Sequence, residues 1–249
     1  SSGLEEIVPQ NSRKAYDVHK VIDTFVDLDS FYEVQRDFAC NAVIGLARMD
    51  GQVIGIVANQ PSFIGGALDI NASDKIARFV RFCDAFNTPL ITLVDVPAFL
   101  PGTQQEHNGI IRHGAKILYA YAEATVPKVT LLMRKAYGGA YIAMNSKNMG
   151  ADVVYAWPIA ELAVMGEEGA VNIMYRKQLA KSENVEEERA RLIAEYRAKF
   201  IKPYISAANG YIDEIILPEE TRAKFKSALE KQRDKKQEQP YRKHGNIPL

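Results

Sequence analysis

The chain has 249 residues, 47% of them apolar, enough to bury a sizeable core in one large domain or two small ones; one is expected. Its 31 basic and 31 acidic residues balance to zero formal charge, so no global field would hold it on nucleic acid or an anionic membrane, and a small-molecule or protein partner is expected instead. Two cysteines, Cys40 and Cys83, are too few for a disulfide framework and fit a reducing compartment.

Residues 1–20 begin without Met on small polar residues that resemble a cloning remnant, so a longer parent protein is expected. They lack the basic start and apolar stretch of a signal peptide, and with Pro9 and Arg13-Lys14 they read as a polar linker or arm. Residues 21–249 read as a single domain. A short helix is predicted over Val18 to Val26, then strand-like runs Ala42–Ala47 and Val53–Ala58 joined by a tight Asp50-Gly51 turn. Asn71 to Asn87 places Ile76, Phe79, Val80, Cys83 and Phe86 at helical spacing, with Asn71 and Ser73 as candidate caps. Strand and helix then alternate: strand Leu90–Val94, helix Asn108–Ala124, strand Val129–Met133, helix Gly139–Lys147, strands Val153–Trp157 and Leu162–Met165, helix Ala170–Ala180. Such alternation argues for an α/β layered core, and the nearly continuous apolar strands argue for cover on both faces. Residues 181–202 read as a charged helix with a buried stripe of Val185, Leu192, Ile193, Tyr196 and Phe200, stopped by Pro203. A last helix from Glu219 to about Lys235 leads into a polar tail. No window approaches 18 uninterrupted apolar residues, so the protein is expected to be soluble and cytoplasmic.

The commonest nucleotide-binding and nucleophile-elbow signatures are absent. His107 and His113 are six residues apart, about 120° around a helix, and cannot clamp a metal from one face, so no metal site is expected. Glu106 beside His107 reads as a solvated helix-starting acid, and the tail from Lys231 to Lys243 as a solvated face. What remains are glycine turns where strands hand over to loops or helices: Asn59 to Ala67, Lys135 to Tyr141, and Met165-Gly-Glu-Glu-Gly-Ala170. Gly138-Gly139-Ala140 follows a buried strand and opens a helix, so the Gly139 and Ala140 amides would be unpaired donors able to hold an anion or developing oxyanion. Equally, the two glycines could simply let a helix pack tightly on a sheet. The rigid apolar loop Pro97-Ala98-Phe99 leaves another strand end, where open α/β folds tend to bind ligands, and this favours the first reading.

Val94-Asp-Val-Pro-Ala-Phe-Leu-Pro-Gly-Thr103, Gln105-Glu-His-Asn-Gly-Ile-Ile-Arg-His-Gly114, Arg134-Lys-Ala-Tyr-Gly-Gly-Ala-Tyr141, Ala163-Val-Met-Gly166 and Lys243-His-Gly-Asn-Ile-Pro-Leu249 follow one another in order. Together with Asn59-Gln-Pro and Leu68 to Lys75, they resemble the C-terminal half of biotin-dependent acyl-CoA carboxyltransferase subunits. The relatives are propionyl-CoA carboxylase β, methylmalonyl-CoA decarboxylase α and the transcarboxylase large subunit. The resemblance implies a crotonase-like superhelix of ββα units. It implies carboxyl transfer between biotin, carried on a biotin carboxyl carrier protein, and a short-chain acyl-CoA. The missing N-terminal half would supply most CoA contacts, full-length relatives would form trimer-of-dimers hexamers, and decarboxylase relatives would add membrane-bound subunits.

By matching positions, Gly139 and Ala140 would offer amides to the biotin ureido oxygen, and Pro97, Ala98 and Phe99 would wall its pocket. Tyr141, Ile142, Gly166, Gly169 and Ala170 complete the implied binding residues. Ala98 stands where many members have Gly. Ile142 stands where propionyl-CoA carboxylases often have Asp, which leans the reading toward methylmalonyl-CoA. Two alternatives are a stand-alone crotonase-type hydratase or isomerase, for which Glu167 and Glu168 are the local acids, and a non-catalytic oligomerisation and carrier-docking module.

Overall fold

In a computed structural model, which describes residues 4–249, the chain opens with a single helical turn, α1 (Leu4–Ile7), and the expected short helix α2 (Val18–Phe25). Asp17 caps α2 by accepting from the His19 amide at 3.0 Å, and Val18, Val21, Ile22 and Phe25 turn one apolar face to the body. Residues 1–3 of the expected arm lie outside the described residues. From Val8 onward the arm is packed on the body, with Val8 and Tyr16 buried. An edge strand too short to show a period, β1 (Tyr32–Val34), pairs antiparallel with β2 (Ala42–Met49). The Asp50-Gly51 turn then takes positive φ at both residues, 50° and 78°, as a two-residue hairpin turn requires. It leads into β3 (Gln52–Asn59), in register from Met49↔Gln52 to Ala42↔Asn59.

From here the chain climbs through parallel strands with helical crossovers. Helix α3 (Ile70–Ala85) is capped by Asp69, which accepts from the Ala72 amide at 2.8 Å; Asn71 and Ser73 fall inside its first turn and are not the caps. Strand β4 (Leu90–Val96) is buried at all seven positions. The helix predicted over 108–124 is broken by Gly109, whose φ of 86° separates α4 (Thr103–His107) from α5 (Ile110–Glu123). Strand β5 (Lys128–Tyr137) runs well past Met133, and α6 (Gly138–Ala143) ends before Lys147. Next come β6 (Val153–Ala156), β7 (Glu161–Ala163), α7 (Glu167–Met174) and α8 (Arg176–Leu179), the last two replacing one predicted helix.

Helix α9 (Val185–Tyr196) passes into a π turn, Arg197–Ile201, and Pro203 both ends this run and starts α10 (Pro203–Ala208). Of the expected stripe only Leu192 is fully buried; Ile193 and Tyr196 are partly so, while Val185 and Phe200 are exposed, because α9 packs on a small cluster of Val171 and Leu179 rather than on the sheet. Strand β8 (Glu214–Ile215) and α11 (Thr221–Lys231) close the fold.

The sheet order is β1-β2-β3-β4-β5-β6-β8, parallel from β3 onward, with β7 pairing to the far end of β5. One core packs α3 and α5 on one face through Val57, Leu90, Val94 and Leu132; the other packs α2 and α11 on the opposite face through Ile56, Ile91, Leu93 and Leu131. This two-sided cover is why the strands read as unbroken apolar runs. The architecture is the expected crotonase-like single α/β domain with a mixed sheet. Among the described residues no helix is long and apolar enough to cross a membrane.

Candidate active site

Val96 lies opposite Ala136, and Tyr137 lies opposite Ala163, both in parallel register. The segments leaving β4, β5 and β7 therefore start side by side, at the strand ends where such sheets bind ligands. They are the Pro97–Phe99 loop, the start of α6, and the Val164–Gly166 turn, so three separately predicted segments meet at one place.

The two glycines at the start of α6 have different reasons. Gly138 has φ of 58°, and an added Cβ would fall 2.9 Å from the Val164 carbonyl oxygen, so this position serves backbone shape and close packing. Gly139 has no such φ, is exposed, and has nothing within 4 Å of an added Cβ. No side chain of the described residues caps α6, so the Gly139 amide is an unpaired helix-start donor beside open space, and the Ala140 amide is a second uncapped donor in a residue that is itself buried. The packing reading accounts for Gly138 and does not account for Gly139. Tyr141 is buried, its hydroxyl has no partner among the described residues, and burial pushes its pKa up to about 12. Ile142, by contrast, is 39% exposed and is no core residue.

The Pro97–Phe99 loop is pinned to Leu68: the Leu68 amide donates to the Ala98 carbonyl at 3.0 Å, and the Leu100 amide donates back to the Leu68 carbonyl at 2.8 Å. The Phe99 ring is turned onto α5, against Gly114, where an added Cβ would lie 2.9 Å from it. Phe99 thus anchors the loop from behind, leaving Pro97 and Ala98 half-buried in front. Across α6, Gly166 is the N-cap of α7 and faces the Tyr137 ring, to which an added Cβ would come within 3.4 Å. Gly169 is exposed, and Ala170 is buried with its amide donating to the Gly166 carbonyl at 3.1 Å.

Charged groups that sequence reasoning did not single out frame this site. Between Val94 and Val96 the β4–β5 register shifts from Leu132 to Ala136, a bulge of the kind that re-aims side chains near active sites. Through it the buried Asp95 carboxylate accepts from Arg134 Nε at 2.9 Å and from the Lys135 amide at 3.1 Å. Arg134 Nη1 donates further to the carbonyls of Pro9, Asn11 and Lys14, tying the arm to the sheet. Toward β7, the Tyr137 hydroxyl donates to Glu161, and Arg197 pairs with Glu161 at 2.8 Å and with Glu167 at 3.2 Å. Lys135, opposite Glu161 in register, is pushed below the usual lysine pKa by burial first, and then by Arg134, against the opposing pull of Asp95 and Glu161. A charged residue inside an apolar strand was the one available signal, since it needs a partner.

Glu167 and Glu168 each carry a guanidinium, Arg197 and Arg13 respectively. His113 meets Asp74 at 2.9 Å, and among the described residues no three His, Cys, Asp or Glu side chains gather as a metal site.

A family model described as the carboxyl transferase domain matches residues 1–247. The chain is 57% identical over 246 residues to the carboxyltransferase subunit of propionyl-CoA carboxylase from Haloferax mediterranei, covering 99% of this chain and 48% of that one. It is 56% identical over 245 residues to the methylmalonyl-CoA carboxyltransferase 12S subunit of Propionibacterium freudenreichii subsp. shermanii, covering 98% and 47%. A crystal structure of transcarboxylase 12S, described as a hexamer with methylmalonyl-coenzyme A bound, superposes with a TM-score of 0.96 at 55% identity over 100% of this chain and 48% of that one. The chain spans about half the length of the relatives it matches, corresponding to their C-terminal half.

Proposed function

The chain belongs to the carboxyl transferase family, and we propose that it is the biotin-facing half of a carboxyltransferase site, moving a carboxyl group between biotin and a short-chain acyl-CoA. The observation that carries this reading is the start of α6, where the Gly139 and Ala140 amides are uncapped and Gly139 opens on free space at the strand ends. That opening fits the ureido oxygen of biotin, a planar acceptor that gains negative charge when its carboxyl leaves. Bound there, biotin would carry the carboxyl group and, once freed of it, take or return the proton α to the thioester.

The chain's own part is to bind and to stabilise. Gly139 and Ala140 donate to the charged oxygen, and removing one donor of this type costs ~2.7–4 kcal/mol of transition-state stabilisation. Pro97 and Ala98, backed by Phe99, form one wall; Gly166 and Gly169, ahead of the buried Ala170, form the other. The exposed Ile142, one residue beyond Tyr141 on α6, leans the acyl-CoA preference toward methylmalonyl-CoA. Tyr141 supports α6 from the core. An N-terminal half supplies the CoA contacts, a biotin carboxyl carrier protein delivers the biotin, and the assembled subunits form a hexamer. Two unpaired cysteines agree with a cytoplasmic protein. The hydratase reading needs a free carboxylate near the glycine turn, and Glu167 and Glu168 are both ion-paired.

In the full-length protein, Ala140→Pro deletes one amide at a first-turn position that tolerates proline. The transfer rate should fall roughly 100- to 1000-fold with folding retained. An unchanged rate would remove the amide assignment.

A further inference from the structure

Tyr137 holds the N-cap position of α6, yet its side chain caps nothing in that helix. Its hydroxyl instead donates to Glu161, and its ring lies under the Gly166 turn, where an added Cβ would come within 3.4 Å. Glu161 is 9% exposed, and its second oxygen accepts from Arg197 at 2.8 Å. The same Arg197 nitrogen pairs at 3.2 Å with Glu167, the first residue of α7. One chain of contacts therefore runs from the residue before the amide-bearing turn to the first residue of the facing helix start. Arg197 opens the π turn Arg197–Ile201, a widened turn of a kind frequent at functional sites.

A phenylalanine at position 137 would pack on Gly166 as a tyrosine does. The hydroxyl adds only the tie to Glu161, so its role lies in orientation. Burial first, and the Glu161 hydrogen bond second, hold the Tyr137 pKa far above its usual value, which keeps this donor protonated.

We propose that Tyr137, Glu161 and Arg197 are positioning residues for carboxyl transfer: they fix the start of α6, with its Gly139 and Ala140 amides, against the start of α7, and none touches a reacting atom. This rests on the amide reading given above.

The test uses the full-length protein with its biotin carrier and compares Tyr137→Phe, Arg197→Gln, Arg197→Lys and Ala140→Pro. Tyr137→Phe and Arg197→Gln should each lower kcat between about 10- and 100-fold, as misplacement of a reacting group does, with the acyl-CoA KM and the thermal midpoint unchanged. Arg197→Lys, which keeps a cation for Glu161, should recover part of the loss. The Tyr137→Phe and Arg197→Gln pair should fall no further than either single variant, because both cut one relay. Additive losses, or losses that track a lowered thermal midpoint, overturn the proposal. If Ala140→Pro is inactive while Tyr137→Phe is fully active, the relay fails and the amide reading stands. If Ala140→Pro is fully active, the amide reading falls and takes the relay with it.

Discussion

Arg134 and Tyr137 lie three residues apart on β5, and each meets a carboxylate from a neighbouring strand, Asp95 of β4 and Glu161 of β7. The surroundings differ. Arg134 and Asp95 are 1% and 0% exposed, and the guanidinium's remaining contacts are backbone carbonyls of the arm and the Tyr16 ring 4.8 Å away. Glu161 is buried too, but its cation partner, Arg197, is half-exposed and shared with Glu167. Losing a partner from the first centre strands a charge where water cannot reach it; at the second, solvent can move in. The same strand thus carries one charge centre that is closed to water and tied to the arm, and another whose cation stands half in solvent.

The comparison is broken most directly by Arg134→Met. With the cation gone and Asp95 left buried, unfolding should cost about 3–5 kcal/mol less, a large share of the ~5–15 kcal/mol that holds a typical domain together. Urea unfolding measures it, and limited proteolysis should show the arm around residues 8–16 released first. A loss below about 1 kcal/mol, the range of an exposed pair, would place this centre in the same class as the Glu161 one.

A smaller effect separates shape from chemistry at the glycine pair. Gly138→Ala forces a left-handed residue and a methyl against the Val164 carbonyl, and should destabilise by about 1–2 kcal/mol. Gly139→Ala meets neither obstacle, so its unfolding midpoint should hold while transfer slows, because the methyl enters the space beside the amides. Equal rates for Gly139→Ala and the parent would mean that no ligand approaches there.

Much of this architecture was legible in the sequence. The Asp50-Gly51 turn, the alternation of strand and helix, and the doubly apolar β4 all write their structure locally, and the three site loops could be named because each carries Gly or Pro at a strand end. The extension of β5 was hidden because Arg134 and Lys135 interrupt an apolar run, and only Asp95, 39 residues away, explains Arg134. Helix α6 stops early because Asn145 turns to φ of 57° and exchanges hydrogen bonds with Thr130, a tertiary contact that spacing does not show. Arg197 read as one more charge on a charged helix, outside its apolar stripe. Its two carboxylates lie 36 and 30 residues back in the chain, and only the fold brings them to it.

The smallest effect sharpens the comparison through a charge that pH can remove, which Arg134 does not have. His19 bridges Asp17 through Nδ1 at 2.6 Å and Glu33 through Nε2 at 2.9 Å, linking the start of α2 to β1, with Gln60 at 3.3 Å beside it. Burial alone would lower the His19 pKa, but the hydrogen bonds to Asp17 and Glu33 outweigh it and raise the pKa above its usual value. Asp17 moves the other way: burial would raise it, and hydrogen bonds from Gln60 and His19 lower it. A raised histidine contributes stability that is fully present below its unfolded pKa of about 6.5 and is lost as pH climbs through the folded value. A lowered aspartate contributes stability that is present above its unfolded pKa of about 3.9 and is lost as pH falls through the folded value. The clamp is therefore whole between about pH 4 and 6.5 and weakens above that. The urea midpoint should drop between about pH 6 and 8, His19→Gln should flatten that drop, and Arg134→Met should keep it on a lower baseline, since guanidinium does not titrate there. A pH slope that survives His19→Gln unchanged would show that the link between α2 and β1 does not depend on the histidine's charge.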